Sequence, residues 1–530
     1  MSIFSIQRCL DGGEIMKYIA CSILSFLAIF NLPDAKAQEK PSYQYKKLDY
    51  ALADSTMSLV SLTLKSAELT SIGYVPVSFP RDPITVNQYD EHVILGQILE
   101  PLIENDGKGQ IIPGVAKKWE TSADGLSIKF DLGDHKFSNG NIVNSKDVKY
   151  SIERHINSES SQSKNFLKSI KEVKIISASK LELVLIKPDV SIFKSLSRDQ
   201  IGIVPNLWTF DANSEEPYTG SGAYTLAKKS KNWILKLNPY YHSKNTVKFE
   251  NLKLVFYADS SYKLPSVVPD IIPAAPLRVK SDLEKNYKGD FSKRNIKEKI
   301  SLSQTSFWFY PESPSYGKNS KMRRIMDVID QAIGTFVKDE SLERATGMIP
   351  KGVEGSSLDK VEIKILDFEE KIKIEKIKIA FLGGVFNSFF LSPKVLKVLK
   401  SKGVEFEYIE FSAQTINKIA EFKPDLIAAS WAGGFYDPMG FLPLVSTLIK
   451  KDFSEYIGEL GPVFIKAQSE LDWTKRSELF RSINEKLMTN GVMTPGWKTP
   501  IYSIYSKDII EAENLFRYSP RLVNYESSKK

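Results

Sequence analysis

Cysteine is almost missing from this chain: Cys9 and Cys21 are the two examples in 530 residues. Both precede the export-type cleavage signal described below, so the processed chain is expected to contain none. That excludes a disulfide framework, a thiolate nucleophile and a Cys-ligated metal. Histidine is scarce as well. His92, His135, His155 and His242 stand singly along the chain, and each reads as a surface or packing residue. No metal site and no cofactor is expected. A one-sided charge is also lacking, because 72 basic residues are set against 64 acidic ones and the net charge of +8 is spread along the whole length. A diffuse excess of this kind is a solvated surface more often than a nucleic-acid groove. No arginine-rich arm and no aromatic-basic RNA motif is present, so no nucleic-acid partner is expected.

Catalytic signatures are equally sparse. There is no Gly-x-Ser-x-Gly and no His-Glu-x-x-His. Ser-x-x-Lys occurs at Ser161 with Lys164 and at Ser191 with Lys194, but the partner motifs Ser-Asp-Asn and Lys-Thr-Gly are absent. These matches read as chance in a chain rich in both residues, and the chain is not expected to be an enzyme.

What is present begins with an export signal. Lys17 follows Met16, residues 18–30 form an apolar run of 13, Asn31-Leu32-Pro33 breaks it, and Ala35-Lys36-Ala37 offers a small-x-small cleavage site. The run is too short for a helix across a bilayer, which needs about 20 residues. Met1 and Met16 both remain open as the start. Cys21 as a lipid-anchor residue is disfavoured, since only Tyr18-Ile19-Ala20 of the apolar segment precede it. At 42% hydrophobic and 26% charged, the remainder has the balance of a soluble protein with two or three compact lobes.

The chain then alternates between helical and strand patterns. Residues 38–52 are polar and aperiodic. Residues 66–74 read as a strand, and residues 90–102 as a helix through Val93, Ile94, Gln97, Ile98 and Leu102. Asn105-Asp106-Gly107 is a turn. Residues 127–132 alternate as a strand. Ser145 is expected to cap a helix whose Val148, Ile152 and Ile156 share one face. Residues 173–176 and 181–185 read as a strand pair, and 476–487 as a helix. In residues 305–310, Phe307 and Phe309 fall on one side of a strand and Trp308 and Tyr310 on the other. Alternating Lys and Ile at 372–379 favours strands with one wet face.

Several ordered motifs recur within this pattern. They are Asp82-Pro83, Glu100-Pro101-Leu102, Pro113-Gly114-Val115-Ala116 with Trp119-Glu120, and Ser122-Ala123-Asp124-Gly125-Leu126. Phe137-Ser138-Asn139-Gly140 and residues 146–154 follow, then Gly220-Ser221-Gly222-Ala223-Tyr224 and Asn238-Pro239-Tyr240-Tyr241. Ile349-Pro350-Lys351-Gly352-Val353, Pro424-Asp425-Leu426-Ile427, residues 431–442 and Pro495-Gly496-Trp497 complete the set. Their order resembles the bacterial extracellular solute-binding proteins of family 5, the dipeptide- and oligopeptide-binding components of ABC importers. The likeness covers roughly four-fifths of the processed chain and fades at residues 355–378. Taken alone, the glycines at 220 and 222 mean only a tight bend.

The resemblance implies an α/β fold of the periplasmic binding protein-like type (type II, large peptide-binding class), with two lobes, a hinge and an additional subdomain. It implies a signal peptide at 1–37, lobe I at 38–85, 216–304 and 491–530, its extra subdomain at 86–215, and lobe II at 305–490. It implies a monomer in the periplasm, cleaved after Ala37, that captures a peptide or peptide-like solute and delivers it to the permease subunits of an ABC transporter. An exported sensor or structural protein of the same fold is the alternative, with an exported hydrolase behind it. The ligand-binding candidates are Trp431, Gly433, Gly434, Phe435, Tyr436, Asp437, Phe307 and Phe309. Peptide receptors of the family carry Trp-x-x-Asp where this chain has Trp431 and Gly434, and that Asp meets the peptide ammonium. Either another acid supplies the charge here, or the register slips by a residue, or the ligand has no ammonium at that point. Asp437 belongs to an Asp-Pro step and is expected to shape the turn.

Overall fold

The computed structural model describes residues 60–65, 68–74, 81–86, 89–511 and 525–527, with the larger breaks at 258–269, 358–375, 412–417, 433–436 and 443–450. The expected signal peptide and much of the Lys/Ile-rich stretch lie outside the described residues. Three main sheets organise the rest. The first has eight strands in the spatial order Arg294–Lys299, Ile501–Ser506, Ile271–Pro276, Val60–Lys65, Glu68–Tyr74, Asn251–Tyr257, Asn232–Leu237 and Tyr224–Lys229. Pairing is antiparallel except between Glu68–Tyr74 and Asn251–Tyr257. Helix Tyr89–Ile98 lies against this sheet, and Ile94, Leu95 and Ile98 share a core with Leu226, Leu235, Leu252 and Leu254. The helix is buried on all sides, so its polar residues need partners; Arg81 meets Glu91 at 2.7 Å. It ends at Ile98, and Leu102 belongs to the next core.

The second sheet has four antiparallel strands in the order Ala116–Thr121, Ser127–Leu132, Lys180–Leu185 and Ile170–Ser177. Ser127–Leu132 alternates as its sequence dictates, placing Ile128, Phe130 and Leu132 in the core. Helix Ser145–Asn157 covers it with Val148 and Ile152. Its cap is Asn144, not Ser145. The Asn144 side chain accepts from Lys146 N, and Asp147 reaches back to Asn144 N at 2.8 Å, closing a capping box. Ser145 Oγ instead donates to the Ser177 carbonyl at 2.6 Å, which binds the helix to its sheet.

The third sheet has five strands in the order Glu405–Phe411, Lys376–Leu382, Leu426–Ala432, Ser303–Phe309 and Met493–Lys498. Lys376–Leu382 shows the expected wet and dry positions, with Ile377 and Ile379 buried and Lys376 exposed. Strand Ser303–Phe309 separates two cores. Phe307 and Phe309 pack beneath helix Asn319–Asp339 with Ile325, Ile329 and Phe336. Trp308 and Tyr310 face helix Trp473–Thr489 with Phe480, Ile483 and Leu487. Among the described residues no helix is long and apolar enough to cross a membrane.

The chain passes between the eight- and five-stranded sheets twice, at residues 299–303 and again at 498–501. The described residues that flank the two passages are paired, Lys299 with Ile501 in one sheet and Gln304 with Lys498 in the other.

The chain bends at residues 221–223 as expected, and the glycines at 220 and 222 also serve packing. Neither has positive φ. A Cβ on Gly220 would stand 2.0 Å from the Ile98 carbonyl oxygen, and one on Gly222 2.6 Å from that of Gln97. Gly222 N donates to the Ile98 carbonyl at 2.9 Å, so the bend seals the end of the buried helix. Gly220→Ala is therefore expected to destabilise by about 1–3 kcal/mol through overpacking. Gly289→Ala, with nothing within 4 Å of its Cβ, should be neutral or mildly stabilising. Denaturant unfolding of the two variants compares them.

Candidate functional site

The segment that carries most of the candidate ligand residues begins at the end of strand Leu426–Ala432. Trp431 lies on that strand, opposite Gln304. Gly433, Gly434, Phe435 and Tyr436 lie outside the described residues. Phe307 and Phe309 are core residues, not open walls. Both are wholly buried, and Phe307 packs on Phe389 and Trp497 with ring centroids 5.5 and 6.4 Å away. Exposing such a ring costs about 1.5–3 kcal/mol, so the strand's even spacing has fixed them toward helix Asn319–Asp339.

Asp437 is fully buried and shapes the turn. Its Oδ1 accepts from Met439 N at 2.8 Å and caps the short helix Pro438–Gly440. The same carboxylate also does something the local pattern does not announce. Arg476, likewise fully buried, donates to Asp437 Oδ2 at 3.0 Å. Ser191 Oγ donates to Asp437 Oδ1 at 3.0 Å and accepts from Arg476 at 2.8 Å. Ser191 opens helix Ser191–Leu196, whose Ile192 and Leu196 belong to the core of the four-stranded sheet. Asp437 and Arg476 belong to the lobe of the five-stranded sheet. The contact therefore joins two parts of the chain that have separate cores. An apolar touch runs beside it, where the Leu471 side chain lies over Gly125.

More charge gathers at this seam. Glu354 pairs with the other terminal nitrogen of Arg476. Lys194, one helical turn beyond Ser191, is 3% exposed. Asp189 accepts from Ser191 N at 3.0 Å. Asp106, Asp189, Glu354 and Asp437 thus face Lys194 and Arg476, four acids against two bases. The imbalance and the burial work together. Burial pushes Glu354 up to about 7 against the pull of Arg476, with Asp437 adding repulsion. Burial also raises Asp189 and lowers Lys194, whose acidic neighbours oppose the fall. Arg476 Nε and Glu354 Oε1 are buried with no hydrogen-bond partner among the described residues. An open groove of about 380 Å³ adjoins them, lined by Glu354, Trp473, Thr474, Ser477, Glu478 and Arg481.

Sequence reasoning passes over most of this group. Ser191 and Lys194 are the pair read as a chance Ser-x-x-Lys match, and the structure uses both in the seam. Arg476 did carry a signal. It sits in the first turn of helix Trp473–Thr489 beside Lys475, after the cap Asp472, where a cation opposes the helix dipole. A base in that place needs an acid from elsewhere. The histidines also differ from expectation: His135 and His242 do not stand alone but meet on Glu100.

Residues 110–265 match the family model described as bacterial extracellular solute-binding proteins, family 5 Middle. A presumed binding protein of Haemophilus influenzae is 23% identical over 462 residues, covering 80% of this chain and 83% of that one. Among solved structures, the periplasmic murein tripeptide binding protein MppA in its unliganded open form aligns with a TM-score of 0.69 at 17% identity, over 88% of this chain and 98% of its own. The periplasmic binding protein DppA of Helicobacter pylori, in complex with the peptide STSA, aligns with a TM-score of 0.64 at 16% identity, over 84% and 96%. At these identities the structural likeness speaks for the fold.

Two outcomes are expected of the seam. Asp437→Ala leaves Arg476 buried beside fewer acids, and breaking such a pair from one side costs about 3–5 kcal/mol, readable by denaturant unfolding. Glu354 has a higher pKa folded than its ordinary 4.5. Its contribution is therefore complete below about pH 4.5 and is lost as pH rises through about 7. The stability of the native chain relative to Glu354→Gln should fall between about pH 5 and pH 8 in thermal unfolding, and a flat difference would refute the assignment. In its fold and in the matched residues 110–265, the chain is similar to the bacterial extracellular solute-binding proteins of family 5.

Proposed function

We propose that the chain captures a peptide or peptide-like solute between its two lobes in the periplasm and delivers it to the permease subunits of an ABC importer. The observation that carries this reading is the pairing of a two-stranded passage between lobes with a polar seam where separate cores meet. Such a passage lets the lobes turn, and a charged seam can exchange its contacts with water when they part. Closure over a solute makes the filled shape distinct from the empty one, which a membrane partner can read. The murein tripeptide title of MppA and the peptide bound to DppA support the solute class. No step in this reading makes or breaks a bond.

In this reading lobe I comprises 38–85, 216–304 and 491–530, with 86–215 as its subdomain, and 305–490 forms lobe II. Residues 1–37 direct export. The chain acts as a monomer. Trp431, Gly433, Gly434, Phe435 and Tyr436 supply the aromatic and bare-backbone surface for the solute.

Asp437 bears on the solute's charge. Its oxygens already serve Arg476, Ser191 and Met439 N, and Gly434 has no side chain. Neither residue is free to meet an ammonium. Recognition therefore rests on backbone and apolar contacts more than on a free amino end. A charge-assisted hydrogen bond contributes about 1.5–3 kcal/mol, so its absence has a measurable mark. Calorimetric titration with di- to pentapeptides is expected to give micromolar or tighter binding for at least one. N-acetylation of that peptide should change affinity by less than about tenfold, while Gly434→Asp should make the free-amine form the preferred one. Solution scattering should show compaction on binding. A particle that never compacts and binds no peptide would overturn the reading.

A further inference from the structure

We propose that Glu100, His135 and His242 form a binding site for one borderline divalent transition-metal ion, zinc by preference, which fastens the four-stranded subdomain to the eight-stranded sheet. The site lies apart from the seam and does not depend on the solute. Its three donors come from distant points in the chain. Glu100 stands between Leu99, in the core of the eight-stranded sheet, and Leu102, in that of the four-stranded sheet. His135 follows strand Ser127–Leu132, and His242 follows strand Asn232–Leu237 and the turn beyond it. Glu100 Oε2 lies 2.9 Å from His135 Nδ1, and Oε1 lies 2.9 Å from His242 Nε2. One ligand atom from each residue lies within 4.8 Å of the others.

The donor chemistry suits such an ion. Two imidazoles and one carboxylate favour zinc and its neighbours over calcium or magnesium, which prefer oxygen. Metal–ligand bonds of about 2.0–2.1 Å in a tetrahedral site need donors about 3.3 Å apart. The two hydrogen-bond spacings have to open by a few tenths of an ångström, and the widest donor separation, within 4.8 Å, has to close. The rings are already held. His135 and His242 lie 4.5 Å apart by centroid, and Tyr241 lies 4.5 Å from His242. Ser243 Oγ is 2.8 Å from His242 Nδ1. Nε2 now donates to Glu100 Oε1; a metal that took the place of that proton would leave Nδ1–H to donate to Ser243 Oγ, the arrangement found around ligating histidines.

The buried Glu100 carboxylate has the two imidazoles as its side-chain partners, one on each oxygen. The His242 side chain is 38% exposed while those of Glu100 and His135 are 5% and 10%. The site is therefore open on one side, enough for an ion to enter and for water to complete four ligands.

The test uses the tag-free chain, stripped with a chelator and titrated with zinc chloride against a chromogenic zinc indicator. His242→Gln and His135→Gln keep a side chain able to hydrogen-bond to Glu100. Thermal unfolding without metal checks that each variant folds. One zinc per chain is expected, together with a zinc-dependent rise in Tm. Affinity should fall by at least about tenfold in both variants, with the rise in Tm lost. Failure of stoichiometric zinc binding, or equal affinity in the native chain and either folded variant, would overturn the proposal and leave the triad as a hydrogen-bonded brace. Either result leaves the peptide titration unaffected, so the two readings fail separately.

Discussion

A guanidinium sealed from water governs the arrangement. Arg476 is wholly buried, and a buried cation is tolerated only where acids and hydrogen bonds surround it. That single requirement fixes several things at once. Asp437 must hold its turn so that its carboxylate faces Arg476, and Glu354 must approach from the other side. Ser191 must bridge the pair from another core. Phe480 stacks beneath the guanidinium at 4.8 Å, tying it to the lobe's interior. The residue that anchors helix Trp473–Thr489 is therefore the same one that joins this lobe to the subdomain.

The regular elements were legible because their periods are local. Residues 305–310 alternate with period 2, and the alternation alone assigns Phe307 and Phe309 to one core and Trp308 and Tyr310 to the other. Ser127–Leu132 follows the same rule. What the period cannot say is whether a face looks at a helix or at a cleft, and so the two phenylalanines were open to a ligand role. The cap of helix Ser145–Asn157 shifted by one residue because Asn144 and Ser145 are both competent caps. The choice was made by the Ser177 carbonyl, which took the serine hydroxyl. The glycines at 220 and 222 looked like turn residues, yet a helix end that presses on them is visible only in three dimensions.

The polar groups were harder to read, and for one reason. Ser191 meets Asp437 across 246 residues, and Glu100 meets His242 across 142. Nothing within a helical turn or a strand repeat of either residue encodes its partner. The nearest to a signal is a misplaced charge, such as Arg476 in a first helical turn. A base set against the helix dipole marks a demand made by the tertiary structure.

The two polar clusters differ in what they can allow. An apolar seam between lobes would weld them, because each buried methylene adds about 0.8 kcal/mol. Charged contacts cost water on closing and regain it on opening, so their net grip is small. Burial pushes Glu354 up to about 7, so the acids of the seam do not all carry charge at once. The Glu100 cluster stands between the core of the eight-stranded sheet and that of the four-stranded sheet, and a buried carboxylate flanked by two imidazoles ties the two together.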